Sequence, residues 1–285
     1  MSSHHSDSNN SPAASSSGSV ISFDGVPIHY QVQGGGTPTL FFVHCWSGDQ
    51  TYWKAQVSYF SPHYRVVTLD LAGHGKSGLN RKDWTISAFA QDVVAVVNDL
   101  DLDEVVLIGH SMGGTVVLEA AVRMPERLVA LVGVDTLFDK WARFTPEQRE
   151  QFLVPFRTDF VETTRNWVGH NLFLPTSKSD LVERLVADMS AAPPEVGSAS
   201  MDAIYEWGKK DFPEALGRLR TRVFMIQAES NAQNLQVVKS FASSFESFQV
   251  LVVPEVGHFI MMEEPETFNR LLTQAIEQLA RTSHT

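Results

Sequence analysis

Gly109-His110-Ser111-Met112-Gly113 is the segment whose residue types and spacing most plainly permit chemistry. An apolar run at 104–109 leads into it and an apolar, helix-like stretch at 112–124 leaves it, so the five residues form a tight strand-to-helix turn. Such a turn lifts a serine hydroxyl clear of the backbone, and glycines two residues to either side leave room where a Cβ would clash. The pattern alone is common; the flanking strand and helix make Ser111 a candidate nucleophile rather than a serine in an ordinary turn. A serine hydroxyl needs a base. Of the ten histidines, His258 follows the last strand pattern in Glu255-Val256-Gly257-His258, where a loop returns to the carboxyl ends of the strands. His44 and His110 also stand at strand ends and read as residues that orient loops. His4 and His5 lie in a Ser-rich tail and read as solvated.

The elements that must position these residues alternate along the chain. Residues 1–19 hold nine serines and no large aliphatic side chain beyond Met1, so a floppy tail is expected and the fold should begin near Val20. Strands are expected at 19–23 and 28–33 around Asp24-Gly25, then at 39–43, 65–70, 104–109, 128–134, 221–227 and 248–253. Helical patterns fill 51–60, 85–100, 112–124, 235–245 and 265–281. The rhythm breaks at about 138–212, where helical patterns at 146–168, 178–191 and 195–207 follow one another without a strand. The expected fold class is therefore α/β: a mostly parallel sheet covered by helices on both faces, with an all-helical cap inserted after the sixth strand. The expected organisation is a tail at 1–19, a core at 20–137 and 214–285, and a cap at 138–213.

Together these residues resemble the α/β-hydrolase superfamily from Val20 to Arg281. The likeness rests on Phe42-Val43-His44-Cys45-Trp46 after the third strand, on the Asp70–Gly78 loop DLAGHGKSG, on Gly109-His-Ser-Met-Gly-Gly114, and on Gly257-His258. The resemblance implies a capped serine hydrolase in which Ser111 is the nucleophile and His258 the base. It implies an oxyanion hole formed by the backbone N–H groups of Trp46 and Met112, and no cofactor or metal.

Two positions depart from the family pattern. Cys45 stands where glycine is usual; if that position has φ > 0, its Cβ costs ~1–2 kcal/mol and displaces the Trp46 amide. It reads as a small buried hydrophobe rather than a second nucleophile. The usual acid, an aspartate after the seventh strand, is replaced by Asn231 in Gln227-Ala-Glu-Ser-Asn231. Some family members take the acid from the end of the sixth strand, where this chain has Asp135. Asp135 is the first choice for the acid, with Glu229 and Asn231 as alternatives.

Gly73-His-Gly75-Lys-Ser-Gly78 matches a dinucleotide-binding pattern, but Leu79–Trp84 intervenes before any helix, so no helix N-terminus faces a phosphate. Gly75-Lys76-Ser77 fails as a phosphate loop because residue 70 is Asp. A net charge of −11 disfavours nucleic acid and anionic lipid as partners. A lone cysteine excludes an internal disulfide and a multi-cysteine zinc site, and no apolar run approaches the ~18 residues of a membrane span. No Lys or Arg precedes Lys54, and the expected setting is cytoplasmic, as a monomer or homodimer.

The expected reaction is hydrolysis of a small-molecule carboxylic ester or lactone through an acyl-enzyme. The candidate substrate-binding residues are Trp46, Phe138, Trp141 and Phe259, chosen because the cap segment is rich in aromatics and suggests an apolar pocket. Amide, C–C bond and peracid chemistry use the same machinery and stay open. So do a cofactor-free His–Asp oxygenase and a hydrolase-like receptor with little turnover.

Overall fold

In the computed structural model, which describes residues 15–136, 144–243 and 248–282, the apolar runs become the strands of one sheet. These are β1 (Ser15–Ile21), β2 (Pro27–Gln33), β3 (Thr39–Val43), β4 (Val66–Leu69), β5 (Val105–His110), β6 (Leu128–Val134), β7 (Arg222–Ala228) and β8 (Phe248–Val253). Their order is β1-β2-β4-β3-β5-β6-β7-β8. The β1–β2 and β2–β4 pairs are antiparallel and every other pair is parallel. β3, β4 and β5 are buried along their whole length, because helices cover both faces and leave no solvent side to demand polar alternation.

α1 (Lys54–Phe60) packs on the C-terminal α11 (Pro265–Thr282), and α2 (Ile86–Asp99) packs on α3 (Met112–Ala121) over the opposite face. The apolar stripe of α2 faces inward through Ile86, Phe89, Val93, Val96 and Val97, and Thr85 caps it by accepting the Ala88 N–H. Among the described residues five helices follow β6 without a strand: α4 (Pro146–Thr158), α5 (Phe160–Asn171), α6 (Ser179–Ser190), α7 (Pro194–Lys210) and α8 (Phe212–Arg218). α9 (Ala232–Ala242) links β7 to β8, and the four-residue α10 (Ile260–Glu263) precedes α11.

Two expectations are corrected. Strand structure is already present before Val20: β1 runs from Ser15, antiparallel to β2, with Ser15 opposite Gln33 and Ile21 opposite Pro27. Strand pairing uses backbone N–H and C=O groups, so a serine-rich edge strand forms without the apolar side chains that mark the others. Gly18 fits there because a Cβ would lie 2.4 Å from the Tyr30 hydroxyl. The single helical pattern at 146–168 is two helices, broken where Asp159 leaves helical geometry (φ −145°, ψ 74°) and its carboxylate caps α5 by accepting the Glu162 N–H.

Candidate active site

Parallel strands end at a common edge, and the register determines what meets there. His110 lies opposite Val134, Val134 opposite Ile226, and Ala228 opposite Val253. The residues just beyond these pairs include Ser111 and Asp135, and the loop after β8 carries His258. Ser111 sits at φ 54°, ψ −117°, a conformation that costs a non-glycine residue of order 1–3 kcal/mol. The surroundings hold it there. Its N–H donates to the Val134 carbonyl at 3.0 Å, and its carbonyl accepts the Gly114 N–H at 2.9 Å and the Thr136 hydroxyl. A Cβ on Gly109 would lie 2.2 Å from the Gly113 carbonyl oxygen, and one on Gly113 would lie 2.5 Å from the His44 carbonyl oxygen. Both glycines are required for this close approach.

His258 Nδ1 donates to Asp135 Oδ2 at 2.6 Å. Asp135 is 1% exposed and, like Ser111, has positive φ, at 38°. Its other oxygen accepts the Ala228 N–H at 3.3 Å. Burying a carboxylate is costly unless donors meet it, and among the described residues the donors are one imidazole and one amide. The backbone N–H of His258 donates to the Leu172 carbonyl at 2.8 Å, from the loop after α5. Beneath the ring lies His110, 4.6 Å between centroids, whose Nε2–H donates to the His258 carbonyl at 2.9 Å. Burial and the adjacent His258 push the pKa of His110 well below its usual range, so it is neutral and supports the loop without carrying charge. The structure thus brings Asp135 to the imidazole. Asn231 stands at the head of α9 with its side chain on the cavity wall, and Glu229 is exposed.

Across from Ser111, the loop after β3 carries Cys45 and Trp46. The strain expected at Cys45 is absent: the positive φ in this loop belongs to Ser47, at 53°. The Cys45 thiol is buried, and burial raises its pKa far above the usual thiol range, which keeps it protonated. His44 braces the loop. Its Nδ1–H donates to the Cys45 carbonyl at 2.8 Å while its Nε2 accepts the Leu71 N–H at 3.0 Å, which fixes the tautomer. Met112 is the first residue of α3, where a backbone N–H has no partner within the helix.

Ser111, His258, Trp46, Cys45 and Met112 wall a cavity of about 260 Å³. Its remaining wall comes mainly from the helical insertion, through Trp167, Phe173, Met189, Met201, Ile204 and Trp207. Trp46 joins the two parts: its Nε1–H donates to the Gly197 carbonyl at 2.7 Å, and its ring meets Trp167 edge-on at 5.9 Å. Phe156 and Phe160 also pack edge-on to Trp46 but lie outside the cavity wall, so part of the aromatic content of this segment is its own core.

Phe259 is corrected as a substrate-binding residue. It is fully buried, stacked at 5.3 Å on Phe173 and away from the cavity wall, because the residue after His258 points into the core. Phe138 and Trp141 lie outside the described residues. The sequence reading missed Thr136, which braces the Ser111 carbonyl, and Leu172, which holds His258 through a backbone oxygen that no motif can mark.

A model of the alpha/beta hydrolase fold matches residues 38–265. The chain belongs to that family. It is 25% identical over 246 residues to 3-oxoadipate enol-lactonase 2 of Acinetobacter baylyi, covering 85% of this chain and 89% of the relative. It is also 30% identical over 145 residues to that organism's (E)-2-((N-methylformamido)methylene)succinate hydrolase, covering 50% and 55%. Against three curated relatives matched at 30–33% identity, the chain spans 29–55% of their length. A solved thermophilic esterase from Thermogutta terrifontis superposes with TM-score 0.80 at 24% identity, covering 93% of this chain and 99% of that one, a likeness of fold. Among the described residues, no helix is long and apolar enough to cross a membrane.

Proposed function

We propose that this chain is a serine hydrolase that cleaves a small, largely apolar carboxylic ester or lactone through an acyl-enzyme. One observation carries the reading: Ser111, on its strained turn, and the His258–Asp135 pair wall the same apolar cavity. With Nδ1–H committed to Asp135, the neutral His258 ring keeps its lone pair on Nε2, the nitrogen that takes the serine proton. Ser111 Oγ attacks the carbonyl carbon, and the Trp46 and Met112 amides hold the resulting oxyanion. The imidazolium, balanced by Asp135, protonates the leaving alkoxide. Water then attacks the acyl-enzyme with His258 again as base, and the acid and free serine are released.

The walls suit an apolar acyl group, and the volume of about 260 Å³ lies near the lower end of small-molecule sites, ~300–1,000 Å³. An enol-lactonase and an esterase among the similar proteins support an oxygen-ester substrate.

The test is a panel of p-nitrophenyl esters and lactones of increasing acyl length, assayed on wild type and Ser111→Ala. The expected result is a kcat/KM maximum at short to medium chains, reduced by several orders of magnitude in the alanine variant. Equal turnover by the two proteins would exclude the serine mechanism.

A further inference from the structure

Glu263 closes α10, five residues after His258, and no step of the proposed chemistry uses it. Its carboxylate nevertheless grips the residues on both sides of that histidine. Oε2 accepts the Gly257 N–H at 3.2 Å, and Oε1 accepts the Phe259 N–H at 3.2 Å. Oε2 also accepts the Ser177 hydroxyl at 2.6 Å. Ser177 belongs to the loop between α5 and α6, where its Oγ in turn accepts the Leu174 N–H at 3.0 Å. The intervening N–H of His258 goes to Leu172 in the same loop. Three consecutive amides are therefore held by one carboxylate and one carbonyl. Gly257 makes this possible, since a Cβ there would lie 2.6 Å from Glu263 Oε1 and 2.8 Å from the Leu172 oxygen.

The loop on the other side of this clasp lines the cavity through Leu172, Phe173 and Leu174. The same short chain of hydrogen bonds thus joins the substrate wall to the histidine backbone. An imidazole that must meet Asp135 at one nitrogen and a serine at the other tolerates little displacement, and misplacement of about 1 Å costs as much as ~10²-fold in rate. We infer that Glu263 is a positioning residue for His258, and that its bond to Ser177 ties that positioning to the cavity wall. The inference rests on the reading of His258 as the base.

The experiment compares Glu263→Ala, Glu263→Gln, Ser177→Ala and His258→Ala on one good ester, with the Nδ1 proton of His258 followed by NMR in each folded variant that retains it. Glu263→Ala removes both acceptors, the one for Ser177 included, and should lower kcat by about tenfold or more, raise KM no further than Ser177→Ala does, and broaden the Nδ1 resonance. Glu263→Gln keeps one acceptor oxygen and should recover part of kcat. Ser177→Ala frees the wall and should act mainly on KM. If Glu263→Ala does not fold, the glutamine variant carries the same test. A folded Glu263 variant with wild-type kcat and a sharp Nδ1 resonance, beside an inactive His258→Ala, overturns the positioning role alone. Wild-type kcat in His258→Ala overturns the underlying reading instead.

Discussion

Asp92 and Asp135 are both buried carboxylates, 0% and 1% exposed, and they are held in opposite ways. Asp92 receives four donors: the Ser22 hydroxyl at 2.7 Å, the Ala72 N–H at 3.1 Å, and two nitrogens of Arg81 at 2.6 and 3.0 Å. Burial opposes the charge on Arg81, but Asp92 and Asp24 more than offset it and hold its pKa above the usual value. Among the described residues Asp135 receives one amide and one imidazole, and that imidazole becomes a cation only when it takes a proton. A carboxylate with a permanent cation is a structural fixture; one whose partner gains charge during a reaction is placed to stabilise that moment. Burial alone distinguishes neither. The partner's chemistry does.

The largest effect should separate the two sites by rate. Asp135→Asn should lower kcat at least ~10²-fold on a single ester while circular dichroism stays native, since in another triad enzyme the same change cost about 10⁴-fold. Asp92→Asn should do the reverse. Breaking a buried ion pair costs about 3–5 kcal/mol, equivalent to a Tm lower by roughly 10 °C in a chain of this size, with kcat per folded molecule nearly unchanged. A variant of Asp92 that stays stable but loses turnover would break the comparison.

The Asp135 side of this contrast could be read in the sequence, and the reasons are local. Ser111 announces itself because a strained turn demands glycines at fixed offsets. His258 and Asp135 follow strand patterns in a parallel sheet, whose ends must share an edge. The serine-rich first part of β1, residues 15–18, left no trace because backbone pairing needs no apolar side chain. Phe259 misled because its ring, although edge-on to that of His258 at 5.4 Å, stacks on Phe173 and is fully buried outside the cavity wall. The grip of Glu263 and the Leu172 carbonyl depends on where two loops meet, which no single-sequence pattern encodes. Cavity-facing residues such as Met189 and Met201 are indistinguishable in sequence from those of a helical core.

Buried histidines sharpen the comparison from a third side, as titratable groups kept neutral. Burial lowers the pKa of His44 and His110, and burial with the neighbouring His44 pushes His74 down to about 3. In the unfolded chain these groups bind protons below about pH 6.5, while in the fold they do not, so the unfolded state holds more protons over that interval. Their stabilising contribution is complete above about pH 6.5 and is lost as pH falls toward 3 for His74. Thermal melts should show Tm falling by several degrees from pH 7 to 5; a Tm that rises over this range would contradict the assignment.

The smallest effect concerns the edge that leads to Asp92. Deleting residues 1–14 should leave Tm and kcat/KM unchanged, whereas deleting 1–18 removes four residues of β1, which leads into Ser22. The longer deletion should lower Tm by a few degrees and leave kcat untouched, as measured by melts and assays on the two truncations. A loss of kcat in the folded longer truncation would mean the edge communicates with the cavity.

The central claim is that Ser111 is activated by His258 held by Asp135 rather than by the residue at the more usual acid position. The rate of Ser111 phosphonylation by a fluorophosphonate, followed by peptide mass spectrometry, tests it without reference to any substrate. Wild type should carry one adduct, on the peptide containing Ser111. The labelling rate should fall at least ~10²-fold in Asp135→Asn and by less than ~10-fold in Asn231→Ala. An adduct on another residue, or an Asn231→Ala enzyme that labels slowly beside a normal Asp135→Asn, would contradict it.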